Sequence, residues 1–152
     1  MIATTLIIGV SLLLFVYWFR YTVILILRTR TAPEYAQKVA AANQLSFVDV
    51  RQQLHAPTPA AELPNLFRSL QRDYRVLKYL LGHAATVESG SYTAEQRLLM
   101  FNFRVMSFWF AAISRFRPQD AKHALLELSG TLEYFANVMG QRFATLAADS
   151  SR

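Results

Sequence analysis

The chain has 152 residues, 53% of them apolar and 17% charged, with no cysteine and a formal net charge of +6. That length suits one modest domain plus an anchor, and the lack of cysteine removes disulfides, thiolate nucleophiles and thiolate metal sites from consideration. Arg20, Arg28 and Arg30 cluster beside the first apolar run and leave only +3 from residue 31 onward, too even a balance for a nucleic-acid-binding domain.

Residues 2–19 form an 18-residue run without a charge, about 27 Å long at helical rise and close to the thickness of a bilayer core. Eleven of these residues are Ile, Leu, Val or Phe, which together favour insertion by roughly 3–6 kcal/mol. No basic segment precedes the run and no small-residue cleavage site follows it, so it reads as an uncleaved anchor and not as a signal peptide. Tyr17, Trp18 and Tyr21 bracket Arg20, the composition of an aromatic belt with a snorkelling arginine.

Arg20, Arg28, Arg30 and Lys38 all follow the run. The positive-inside rule then places the N-terminus outside and the remainder on the cytoplasmic-type side of a bacterial inner membrane or an organellar membrane. The sequence TVILIL at 22–27 extends the apolar stretch past Arg20, so the expected span is about 2–27. Either the helix is long and tilted with Arg20 in the bilayer, or the bilayer ends near Arg20 and 23–27 needs cover from the domain or a partner.

The expected division is an anchor over 1–30 and a helical domain over 31–152. Its fold class is all-α: one transmembrane helix followed by a small bundle of about three main helices. Pro33 suits the first position of a helix running to about residue 44, with Tyr35, Val39 and Ala42 on one face and Glu34 complementing its N-terminus. Ser46 and Asp49 look like a cap opening a short helix through Leu54, with a brief strand as the alternative. Pro57, Pro59 and Pro64 mark a loop.

From residue 63 to 82, Leu63, Leu66, Phe67, Leu70, Tyr74, Leu77 and Leu81 share one arc, and Arg68, Arg72, Arg75 and Lys78 the opposite one. The stretch 86–92, with Ser89-Gly90-Ser91, is a flexible connection. Thr93 and Gln96 then have the spacing of a capping box.

The helix expected over 94–117 is apolar around most of its girth, which predicts a buried, central helix. Its polar line is Arg97, Arg104 and Arg115, for which Asp73, Glu127 and Glu133 are candidate partners. A last helix, opened by Pro118 and Asp120, repeats Leu125, Leu128, Leu132, Phe135, Met139, Phe143 and Leu146 at bundle spacing to about Ala147. Gly130 and Gly140 inside it suggest close helix approach. Residues 149–152 read as a polar tail.

His55, His83 and His123 are scattered, and Asp120 with His123 is a single i, i+3 pair where a di-iron bundle needs two. His83 is placed near a helix C-terminus. Phosphate loops, nucleophile elbows and triads are absent, so neither an enzymatic role nor a cofactor or metal is expected. What remains is surplus apolar surface, which usually marks association.

The expected function is therefore a non-catalytic accessory subunit of a larger membrane complex, with the bilayer and other subunits as partners. Arg20, Val23, Ile24, Leu27, Phe103, Trp109 and Phe110 are the candidate interface. Arg68, Arg72, Arg75 and Lys78 are a candidate basic face for anionic lipid headgroups or an acidic partner. The alternatives are a self-associating membrane-surface module and a sensor holding a small apolar ligand in the bundle core.

Overall fold

The structure, a computed structural model, describes residues 1–29, 33–88 and 92–150. The side chains at 29, 33, 34, 85–88 and 150 lie outside that description, as do the expected connectors at 30–32 and 89–91, the Glu34 charge and the last two residues of the tail. All the regular structure described is helical. The chain separates into two compact units, Met1–Arg30 and Thr31–Arg152.

The first unit is α1 (Ile2–Thr29), a continuous helix that runs through Arg20 without a break. It is long and apolar enough to cross a membrane. Its side chains from Leu6 to Tyr21 are largely exposed. The hydroxyl of Thr22 donates to the carbonyl of Trp18 at 2.9 Å, which satisfies a polar group inside an apolar segment. Tyr17, Trp18 and Tyr21 contact one another edge-on and stacked.

The second unit holds α2 (Pro33–Ala42), α3 (Phe47–His55), a 3-10 turn over Ala60–Glu62, α4 (Leu63–Glu88), α5 (Ala94–Ile113) and α6 (Pro118–Ser150). The central element is α6, on which α2, α3, α4 and α5 all pack. Ala121, Ala124, Leu125, Leu128, Leu132, Tyr134, Phe135, Ala136 and Met139 are all buried, a set too broad for a single seam. Two buried polar residues on it are satisfied locally: Ser129 donates to the carbonyl of Leu126 and Thr131 to that of Glu127. Such back-bonding lets a helix with hydroxyl side chains be enclosed on several sides.

This reverses the expected order, in which the helix over 94–117 was central. That helix ends at Ile113, followed by a turn at Ser114–Arg117 closed by bonds from Phe116 and Arg117 to the carbonyl of Ile113. Only one side of α5 is buried, through Leu99, Phe103, Met106, Phe110 and Ile113. The arginines of its polar line are exposed, and the three candidate acids are engaged elsewhere. Glu127 accepts from Asn102 at 2.8 Å, Glu133 pairs with Arg51, and Asp73 serves α3.

The helix ends explain several boundaries. α2 stops at Ala42 because Gln44 takes a left-handed conformation (φ 52°) and the N–H of Leu45 returns to the carbonyl of Ala40 at 2.9 Å. Leu45 is then buried, completing a Schellman-type end. Thr93 and Gln96 form the expected capping box, with reciprocal bonds of 3.3 and 3.1 Å. α4 continues through His83 to Glu88, so His83 sits within the helix and not at its end.

The two short helices receive their N-terminal partners from elsewhere in the bundle. Ser46 makes no side-chain cap to its own helix; Asp73 Oδ2 accepts the Ser46 N–H at 2.6 Å. Likewise Asn137 Oδ1, on α6, accepts the N–H of Ala36 in the first turn of α2 at 2.8 Å. The Ser46 N–H has no acceptor within its own helix and needs such a partner once enclosed, whereas the Ala36 bond ties α2 to α6.

Contact between α2 and α6 is close at Gly140, where an added Cβ would stand 2.6 Å from Cβ of Tyr35. At Gly130 nothing lies within 4 Å of an added Cβ, so only one of the two glycines marks close approach.

Candidate interaction surface

The sequence-predicted residues fall into three groups. Arg20, Val23, Ile24 and Leu27 lie on α1 at i, i+3, i+4 and i+7, one stripe of that helix. Phe103 and Phe110, expected at an interface, instead belong to the domain core. Phe103 stacks on Tyr74 with centroids 4.0 Å apart, and Phe110 on Phe67 at 4.4 Å. These ring pairs join α5 to α4, and each ring of α5 is only 3% exposed. Trp109 points the other way and is 51% exposed.

Trp109 is not isolated. Phe101 (56%), Val105 (42%) and Phe108 (78%) share the outward side of α5, and Phe116 (83%) follows in the turn beyond it. Arg97 and Arg104 flank this arc and are also exposed. The single acid of α5, Glu95, accepts the hydroxyl of Tyr134 at 2.8 Å, so the outward arc is apolar, aromatic and basic without an acidic residue. With about 150–250 Å² per aromatic side chain, the exposed fractions give roughly 400–600 Å² of apolar surface, at the upper end of what a monomer usually leaves uncovered. Arg97 and Arg104 were visible in the sequence as part of the arginine line with Arg115. The phenylalanines beside it were assigned to the core because their outward direction depends on which helix is central.

The basic residues of α4 do share one face, but they are not equivalent. Arg68 Nη1 lies 3.5 Å from Asn65 Oδ1. Arg72 Nη2 donates to Ser46 Oγ at 2.8 Å, and its Nε lies 3.6 Å from Asp73 Oδ1. Arg75 and Lys78 instead line an open groove with Tyr79, Gly82, His83 and Tyr92. Burial pushes the Asp73 carboxyl above its ordinary range, outweighing the opposing Ser46 N–H bond and the nearby Arg72 charge.

The Tyr74 hydroxyl is likewise raised, chiefly by burial. Among the described residues, no group of three or more His, Asp or Glu is placed to hold a metal ion; Asp120 pairs with Arg117 at 3.5 Å. Comparison with protein-family models, curated proteins and solved structures finds no match.

Proposed function

We propose that this protein is a non-catalytic accessory subunit of a membrane complex, anchored by α1 and docking through the outward face of α5. The N-terminus lies outside and the bundle on the cytoplasmic-type side, because every nearby basic residue follows the span. The observation that carries the reading is the exposed set Phe101, Val105, Phe108 and Trp109 on a helix whose opposite side completes the core.

The magnitudes favour a tethered interaction. Covering roughly 400–600 Å² of apolar surface is worth on the order of 10–15 kcal/mol gross. Association costs of about 4–15 kcal/mol consume much of that for a freely diffusing protein. An anchor in the partner's own bilayer raises the effective concentration and lowers that cost. α1 and the α5 face therefore support each other as parts of one device.

A second reading is favoured by the acid-free arc itself: aromatic rings flanked by Arg97 and Arg104 also suit the headgroup region of an anionic bilayer. The two are separated by purification from native membranes in gentle detergent. Co-purifying subunits that are lost from a Phe108→Ser, Trp109→Ser double variant, with folding and insertion retained, support the accessory reading. A protein that purifies alone, and whose domain detaches from anionic vesicles in the same variant, supports the surface reading instead.

A further inference from the structure

The groove on α4 has features that the association surface does not use. Arg75, Lys78, Tyr79, Gly82 and His83 fall at i, i+3, i+4, i+7 and i+8, one face over slightly more than two turns. Tyr92, beyond the α4–α5 connection, closes the side. Its hydroxyl donates to the Lys78 carbonyl at 3.4 Å and stands 2.8 Å from where a Cβ on residue 82 would be. Glycine at 82 is what lets the Tyr92 ring lie against the helix.

The Tyr79 and His83 rings run nearly parallel, 14° apart in orientation with centroids 6.1 Å apart. The volume of the open groove is about 460 Å³, within the range of small-molecule sites. Among the described residues that line the groove, none is acidic. Among the described residues neither Arg75 nor Lys78 is ion-paired, in contrast to Arg72.

We propose that this groove binds a phosphate monoester. Arg75 supplies a planar fork and Lys78 a point charge, the two cation types that phosphate oxygens recruit. Two cations lining one groove, with no acid among its described residues, favour a doubly charged oxyanion over a carboxylate. The volume exceeds that of phosphate alone, leaving room for an organic substituent against the Tyr79 and Tyr92 rings. The groove lies more than a turn before Glu88, beyond the reach of the negative end of the helix dipole. The phosphate could belong to a lipid headgroup or to a soluble phosphorylated molecule.

The test uses the full chain in nanodiscs with isotope-labelled histidine. His55 and His123, exposed and outside the groove, serve as internal controls. Phenyl phosphate is titrated into phosphatidylcholine discs, and a parallel sample uses discs enriched in phosphatidic acid. We expect a saturable change at His83 alone, weakened about tenfold or more by Arg75→Gln, by Lys78→Gln and by Gly82→Ala, but not by Arg68→Gln.

A response to phenyl phosphate in neutral discs identifies a soluble ligand, and a response only with phosphatidic acid identifies a headgroup. The proposal is overturned by silence at His83 in both samples, by a response that survives both Arg75→Gln and Lys78→Gln, or by equal weakening in Arg68→Gln. The Arg75 and Lys78 variants decide the matter even if Gly82→Ala perturbs folding.

Discussion

The carboxylate of Asp73 on α4 accepts the backbone N–H of Ser46 at 2.6 Å, and so holds the first turn of α3 from a different helix. Asp73 is fully buried, yet it carries the only side-chain bond described for that N–H. Asp73→Ala should therefore cost about 1–2 kcal/mol, as for a lost N-cap, with α3 the region that loosens first. Chemical denaturation with hydrogen exchange at 46–50 checks both statements.

Titration of the same residue has a definite sign. Burial raises the folded-state value above the unfolded 3.8, so the folded protein holds this proton more tightly than the unfolded chain. The resulting stability is fully present below pH 3.8 and is lost as pH rises through the raised folded value. Asp73→Asn lacks this loss. Urea melts of the two proteins across that window should converge, or cross in favour of Asn, as pH increases; a gap that widens against Asn would contradict the assignment.

Gly140 and Gly130 should respond to alanine in opposite directions. At 140 the new Cβ meets Cβ of Tyr35 at 2.6 Å, so α2 must shift, at a cost of about 1–3 kcal/mol. At 130 the space is open and the helix gains from alanine by up to about 1 kcal/mol. Thermal melts of the two single variants read the difference directly.

The two sides of α5 should also separate in stability measurements. Phe103→Ala and Phe110→Ala each remove a stacked, buried ring and should cost about 3–5 kcal/mol. Trp109→Ala and Phe108→Ala remove exposed rings and should leave the melting transition of the isolated protein nearly unchanged. A large loss from Trp109→Ala would place that side in the core after all.

Much of the fold was legible because it rests on local periodicity. The apolar run of α1, the Leu63–Leu81 arc of α4 and the Thr93–Gln96 capping box each need only neighbours within one helix. What could not be read was which helix the others surround. α5 has the greater share of large apolar residues, but α6 is enclosed, because alanines at 121, 124 and 136 and back-bonded Ser129 and Thr131 let neighbours approach it from several directions.

The bonds at Ser46 and Ala36 were hidden for a related reason: their acceptors, Asp73 and Asn137, are 27 and 101 residues away in sequence. Within the candidate site, the arginine line of α5 was visible and the exposure of Phe101 and Phe108 was not. The groove at Gly82 depends on Tyr92 folding back across a connection that spacing alone does not place.

The outward face of α5 is tested most directly by a photo-crosslinking amino acid at position 108, with exposed Gln141 on α6 as the control position, in the full chain in its native membrane. Docking on a protein partner predicts a discrete crosslinked product containing a second, different polypeptide at 108 and none at 141. Adducts at 108 with lipid alone, or no more product there than at 141, would contradict the accessory-subunit reading.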